Sequence, residues 1–170
     1  MAQHRVPHHL QRHGMQHHDR SQSYRDGRGE EKRYAWADFF IYSTDPVGFT
    51  LTAGQSSNRV IQLDADSDFN VMRITGYAEA AGSTFPLSDS QMPQITVNLA
   101  DGMTSRNLFN NPLPWGALIG SGRLPFVLPQ YRVFTKNGTI IIGLANFAAV
   151  TYNNIVIALE GVKLFEAGRT

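Results

Sequence analysis

The sequence predicts an all-β architecture: an antiparallel β-sandwich, a jelly roll of about eight strands, carried behind an extended N-terminal arm. Three observations lead there. From Tyr34 onward, short runs of β-branched and aromatic residues recur at intervals of about ten residues, with Gly, Pro, Asn and Asp between them. Lys136-Asn137-Gly138 separates two such runs, and Asn-Gly is the strongest short hairpin signal because both turn residues take positive φ. No stretch shows the apolar period of an amphipathic helix.

Taken in order, Asp38–Thr44 (DFFIYST) reads as the first strand, ended by Asp45-Pro46. Gly54–Ser57 is a loop and Asn58–Asp64 the second strand. Phe69–Ala80 is a third, longer strand, followed by a polar loop, Gly82–Pro93. Gln94–Ala100 alternates cleanly, with Ile95, Val97 and Leu99 on one face and Thr96 and Asn98 on the other. Arg106–Asn110 is a short strand, and Asn111–Pro129 a long connection rich in Pro and Gly. Tyr131–Thr135 and Thr139–Phe147 flank the Asn-Gly turn, and Tyr152–Phe165 closes the domain. An immunoglobulin-like sandwich is the rival topology, although the Cys…Trp…Cys spacing of true immunoglobulin domains is missing.

With 170 residues, 42% of them apolar, the chain is long enough for one domain with a real core plus a tail. Cysteine is absent, which excludes thiol catalysis, thiolate metal sites and disulfides. The first residues do not read as a secretory signal, and no apolar run approaches the roughly 20 residues a membrane span needs. The formal charge of +1 divides unevenly: residues 1–33 carry seven Lys/Arg against four Asp/Glu, and residues 34–170 eight against ten.

Residues 1–33 therefore form a basic arm, and residues 34–170 the body. The arm holds few large apolar side chains and no regular period, so burial cannot offset its ordering entropy unless a companion molecule holds it. Fully extended, it reaches on the order of 100 Å. Its partner-binding candidates are His4, Arg5, His8, His9, Arg12, His13, His17, His18, Arg20 and Arg25. All six histidines lie here, so acid raises the arm's charge from +3 toward +9, and docking by the arm should depend on pH and salt. Scattered cations diluted by four acids, ahead of an acidic body, argue against nucleic acid as partner.

Asp64, Asp66 and Asp68 alternate as the start of a calcium loop would. The Gly and Glu that such a loop needs at its sixth and twelfth positions are Phe69 and Thr75 here, so a structural corner is the better reading. The histidine pairs lack a helix or a fourth ligand to fix metal geometry, and no cofactor is expected. Gly116–Arg123 is glycine-rich without the ending of a phosphate loop. The body has neither His nor Cys, and no G-x-S-x-G elbow, which argues against an enzyme.

Trp115, Leu118, Ile119 and Phe126 sit in an otherwise loop-like stretch, as a plug over the sandwich end or as interface anchors. The last strand carries Ile155, Ile157 and Leu159 on one face and Val156, Ala158 and Val162 on the other. A strand apolar on both faces is covered on both, which points to a homo-oligomer, a dimer or a trimer.

Four segments carry a family resemblance: Asp64–Phe69 (DADSDF), Asn107-Leu108-Phe109, Leu124–Asn137 (LPFVLPQYRVFTKN) and Gly161–Phe165 (GVKLF). Through them the body, roughly residues 38–166, resembles small tailed-bacteriophage virion proteins. The resemblance implies a jelly-roll decoration (cement) protein on the capsid surface, assembled in the host cytoplasm, with the major capsid protein as partner. The rivals are another particle component, such as a tail, collar or head–tail adaptor part, and a carbohydrate-binding jelly roll using Trp115 and Tyr131 as an aromatic platform.

Overall fold

The computed structural model describes residues 23–25, 31–45, 47–82, 92–120 and 127–167, with the backbone alone at 23–25, 31–33 and 129–131. In chain order the elements are β1 (Ser23–Arg25), β2 (Glu31–Ser43), β3 (Phe49–Leu51), β4 (Ser56–Gln62), β5 (Asp68–Ala80), β6 (Ile95–Asp101), β7 (Arg106–Asn107) and β8 (Leu113–Pro114). They continue with α1 (Trp115–Leu118), β9 (Val127–Phe134), β10 (Thr139–Asn146) and β11 (Tyr152–Glu166).

Two antiparallel sheets face each other. The first has the order β1-β2-β11-β5-β9, with β3 also on β11; the second has the order β4-β10-β6-β7, with β8 also on β6. Each principal strand of the first half pairs with its mirror in the second half: β2 with β11, β4 with β10, β5 with β9, β6 with β7. The chain is thus a long hairpin rolled up, which is the winding of a jelly roll. The contacts β11·β5 and β10·β6 close the roll into its two sheets.

The core lies between the sheets because each strand alternates. In β10, Ile140, Ile142 and Leu144 are buried; Ile142 stands opposite Leu99 of β6 and Leu144 opposite Val97, with Ile95 buried in the same core. From the first sheet, Phe69, Val71 and Ile74 of β5 join Ile155, Ile157 and Leu159 of β11. The β5–β11 ladder slips by one residue at Glu160/Gly161. A side chain at Gly161 would collide with the carbonyl oxygen of Asn70, so the close approach at this bulge requires glycine.

The apolar cluster of the long connection is a plug. Trp115, Leu118 and Ile119 are buried, Trp115 to 3% exposure, which corrects their reading as interface anchors. Pro114 leads into the single turn of α1, which the Ile119 N–H closes on the Trp115 carbonyl at 2.8 Å. The indole then lies against Gly76 of β5, where a Cβ would come 2.7 Å from the ring. The open end of a two-sheet sandwich leaves inner-face side chains facing water, and this turn seals it. Phe126, the fourth of these candidates, lies outside the described residues.

Strand β2 begins at Glu31, and β1 pairs along its start (Ser23↔Arg33), so the sheet's edge takes in residues that composition assigned to the arm. Asn146, a break in an apolar run by sequence, is buried and functional in the turn after β10. Its Nδ2 donates to the carbonyls of Leu51, Thr52 and Val150, and its Oδ1 accepts the Ala148 N–H.

Replacing the plug residue, Trp115→Ala, should cost about 3–5 kcal/mol in denaturant unfolding. Gly76→Ala, which pushes into the indole, should cost about 1–3 kcal/mol. An unchanged unfolding midpoint for Trp115→Ala would restore the interface reading.

Candidate functional site

The acidic corner after β4 is a fastening and holds no common centre for a cation. Lys163 of β11 points its ammonium at Asp64 in an ion pair and lies 4.0 Å from Asp66. The same nitrogen sits 4.0 Å above the Phe40 ring. Tyr42 donates its hydroxyl to Asp64 Oδ2 at 2.9 Å and accepts the Asp64 backbone N–H at 3.2 Å. Asp68 turns the other way and is buried, accepting the Tyr34 hydroxyl at 2.9 Å and the Lys136 N–H at 2.8 Å. The three carboxylates therefore diverge, and Lys163 already lies against two of them, which argues against the calcium-loop alternative. No cluster of His, Asp and Glu able to hold a metal occurs among the described residues.

Electrostatics at the corner follow from these contacts. Hydrogen bonds from Lys163 and then Tyr42 hold the Asp64 carboxyl below its ordinary range. Burial pulls the Lys163 ammonium down, but the bond to Asp64 and the surrounding negative charge raise it on balance. Burial, first, raises the Tyr42 phenol.

A second feature is the outer face of the first sheet. Register places Ile41, Glu160, Arg73 and Val127 in one row across β2, β11, β5 and β9. The next row is Phe39, Val162, Asn70 and Val133. Toward the other end, Val156 stands opposite Tyr77. Phe39 is 67% exposed, Val127 58%, Ile41 47% and Tyr77 45%. Val156 and Val162, expected from sequence as interface residues, are half-buried among these neighbours.

One ion pair crosses the middle of the face. Arg73 Nε donates to Glu160 Oε2 at 2.8 Å, its Nη2 reaches the same oxygen, and Thr75 Oγ1 donates to Glu160 Oε1 at 3.0 Å. The second sheet differs. Its outer rows Ser56–Ala145–Thr96 and Asn58–Gly143–Asn98 are small and polar, as for a sheet facing water, and the next row, Val60–Ile141–Ala100, is apolar with Val60 exposed.

Sequence reading found Val156 and Val162 but missed Phe39, Ile41, Tyr77 and Val127. The signal existed in Phe39-Phe40-Ile41-Tyr42, an unbroken apolar run that marks a strand covered on both faces. It also missed Trp36, exposed on one side and stacked on Phe165 with ring centres 3.7 Å apart. The buried Trp115 cannot serve as an aromatic platform, and the Tyr131 side chain lies outside the described residues, as do His4, Arg5, His8, His9, Arg12, His13, His17, His18 and Arg20. Arg25 pairs through its backbone with Glu31. No helix among the described residues is long and apolar enough to cross a membrane.

Because the folded state lowers the Asp64 pKa, its contribution to stability is present above about pH 4 and is lost as pH falls through the folded value. Asp64 is half-exposed, which limits that contribution to about 1 kcal/mol or less. Asp64→Asn should therefore lower Tm by about 2–4 °C at most at neutral pH. The gap should close in strong acid, where the wild-type carboxyl is protonated; a gap of equal size at both extremes in calorimetry would contradict the assignment.

No protein-family model matches this chain, and no curated protein is similar to it.

Proposed function

We propose that this chain is a non-enzymatic virion protein that decorates and stabilises a tailed-phage capsid by bridging neighbouring major capsid protein subunits. The observation that carries the reading is an uncovered apolar sheet face on a jelly-roll body. Phe39, Ile41 and Val127 occupy positions that a solitary sandwich would fill with polar residues. That face fits the body for oligomer contacts, and the basic arm extends the reach to a neighbouring capsid subunit. Repeated around a shell, such contacts act together, so each can be individually weak.

Other features agree with an assembly role. Jelly rolls serve in capsids and in lectins, so the fold alone does not choose between them. The carbohydrate reading loses Trp115, which is sealed inside the sandwich. The acidic corner, the most chemically suggestive motif in the body, is used up internally by Lys163, Tyr42, Tyr34 and the Lys136 N–H. A tail, collar or adaptor part would differ in copy number, about a dozen per particle against hundreds for a decoration protein.

The test mixes undecorated shells with the full chain and with a chain lacking residues 1–22, a cut that leaves the β1–β2 pairing intact. The full chain should sediment with shells, and the shortened chain should bind at least tenfold more weakly. If neither form sediments, the capsid reading falls; if both bind equally, the arm has no part in docking.

A further inference from the structure

The outer face of the first sheet has a pattern that selects its occupant. Across β2, β11, β5 and β9, the central row reads Ile41, Glu160, Arg73, Val127: apolar, acidic, basic, apolar. Reversed, the row is its own complement. We infer that this face binds a second copy of the chain, face to face, about a two-fold axis that runs between β11 and β5 parallel to the strands. That rotation sets each Glu160 over the partner's Arg73 and each Ile41 over the partner's Val127.

Charge decides in favour of a second copy. A two-fold interface lays a patch against itself, so a patch with net charge would repel its own image. Here the two charges at the centre cancel within the chain, since Arg73 and Glu160 are paired and Thr75 holds the second carboxylate oxygen. A strongly basic or acidic partner would find no net charge at the centre of this face, and Glu79, at the Tyr77 end, is hydrogen-bonded by Tyr77 and Asn154 of its own chain.

Area agrees. From Val156 to Leu164, β11 runs about 27 Å, and four strands spread over about 19 Å. Each copy therefore contributes on the order of 500 Å² of flat sheet, and the pair roughly 1,000 Å² before side-chain relief is added, which reaches the lower bound for a specific interface. The exposed rings of Phe39 and Tyr77 provide that relief. On the second sheet the apolar outer row Val60–Ile141–Ala100 is flanked by polar rows and carries no pair of opposite charges to set a two-fold register.

The inference concerns the purified protein alone, so its failure and the failure of the capsid reading are separate results. Sedimentation equilibrium from micromolar to submillimolar concentration should show the mass rising from one chain to two. Phe39→Asp, at an exposed position that leaves the core untouched, should weaken pairing at least tenfold. Glu160→Arg makes the central row wholly basic and Arg73→Glu makes it wholly acidic. Each should stay monomeric alone, with native circular dichroism, and the two should pair with each other when mixed. Three results would overturn the inference: a wild-type mass of one chain throughout, a wild-type mass that exceeds two chains, or self-association by Phe39→Asp equal to the wild type. Failure of the charge-swapped pair to associate would overturn the two-fold geometry.

Discussion

Strand β11 is hydrogen-bonded along both of its edges, to β2 on one side and to β5 on the other, over most of its fifteen residues. It is the last strand of the body and β2 is the first principal one, so the first sheet cannot close until the chain's two ends meet. Every layer of the sandwich depends on that closure. Inner-face Ile155, Ile157 and Leu159 complete the core, and Gly161 lets β5 approach at the bulge. Pairing this distant in sequence requires loop closure before contacts repay it, which places the fold among the slower β topologies.

The same strand organises the surface. Lys163 reaches over Phe40 to Asp64 and ties the corner after β4 to the first sheet. Glu160, three residues earlier, points outward and neutralises Arg73. Odd and even positions of one strand thus serve two purposes: one set locks the sandwich shut, and the other presents an apolar face with a single internal ion pair at its centre. The strand thus spends its charges on its own chain, while Phe39 and Val127 of the same sheet stay exposed.

The acidic corner is occupied by its own lysine and tyrosines, and Trp115 is buried as the first residue of the α1 plug. What is distinctive among the described residues is shape and surface: a rolled-up hairpin whose first sheet exposes Phe39, Ile41, Tyr77 and Val127. Those exposed apolar residues are the basis on which both the proposed assembly role and the inferred self-pairing of the first sheet rest.

Local pattern was enough to find the main strands. Alternation in Gln94–Ala100, the Asn137-Gly138 turn and the spacing of apolar runs located β4, β5, β6, β9, β10 and β11 to within a few residues, because strand period and turn chemistry are properties of neighbours in the chain. The double apolar character of β11 was equally legible. Long-range partners decided the rest. Trp115 reads alike as plug or anchor until Gly76, far away on β5, opens the space that receives it. Asp64, Asp66 and Asp68 read as a structural corner without known partners until β11 brings Lys163 against the first two. Arg73 and Glu160 are unrelated charges until the bulged ladder sets them side by side. Periodicity determines which residues share a face of one strand; only the sheet determines what that face meets.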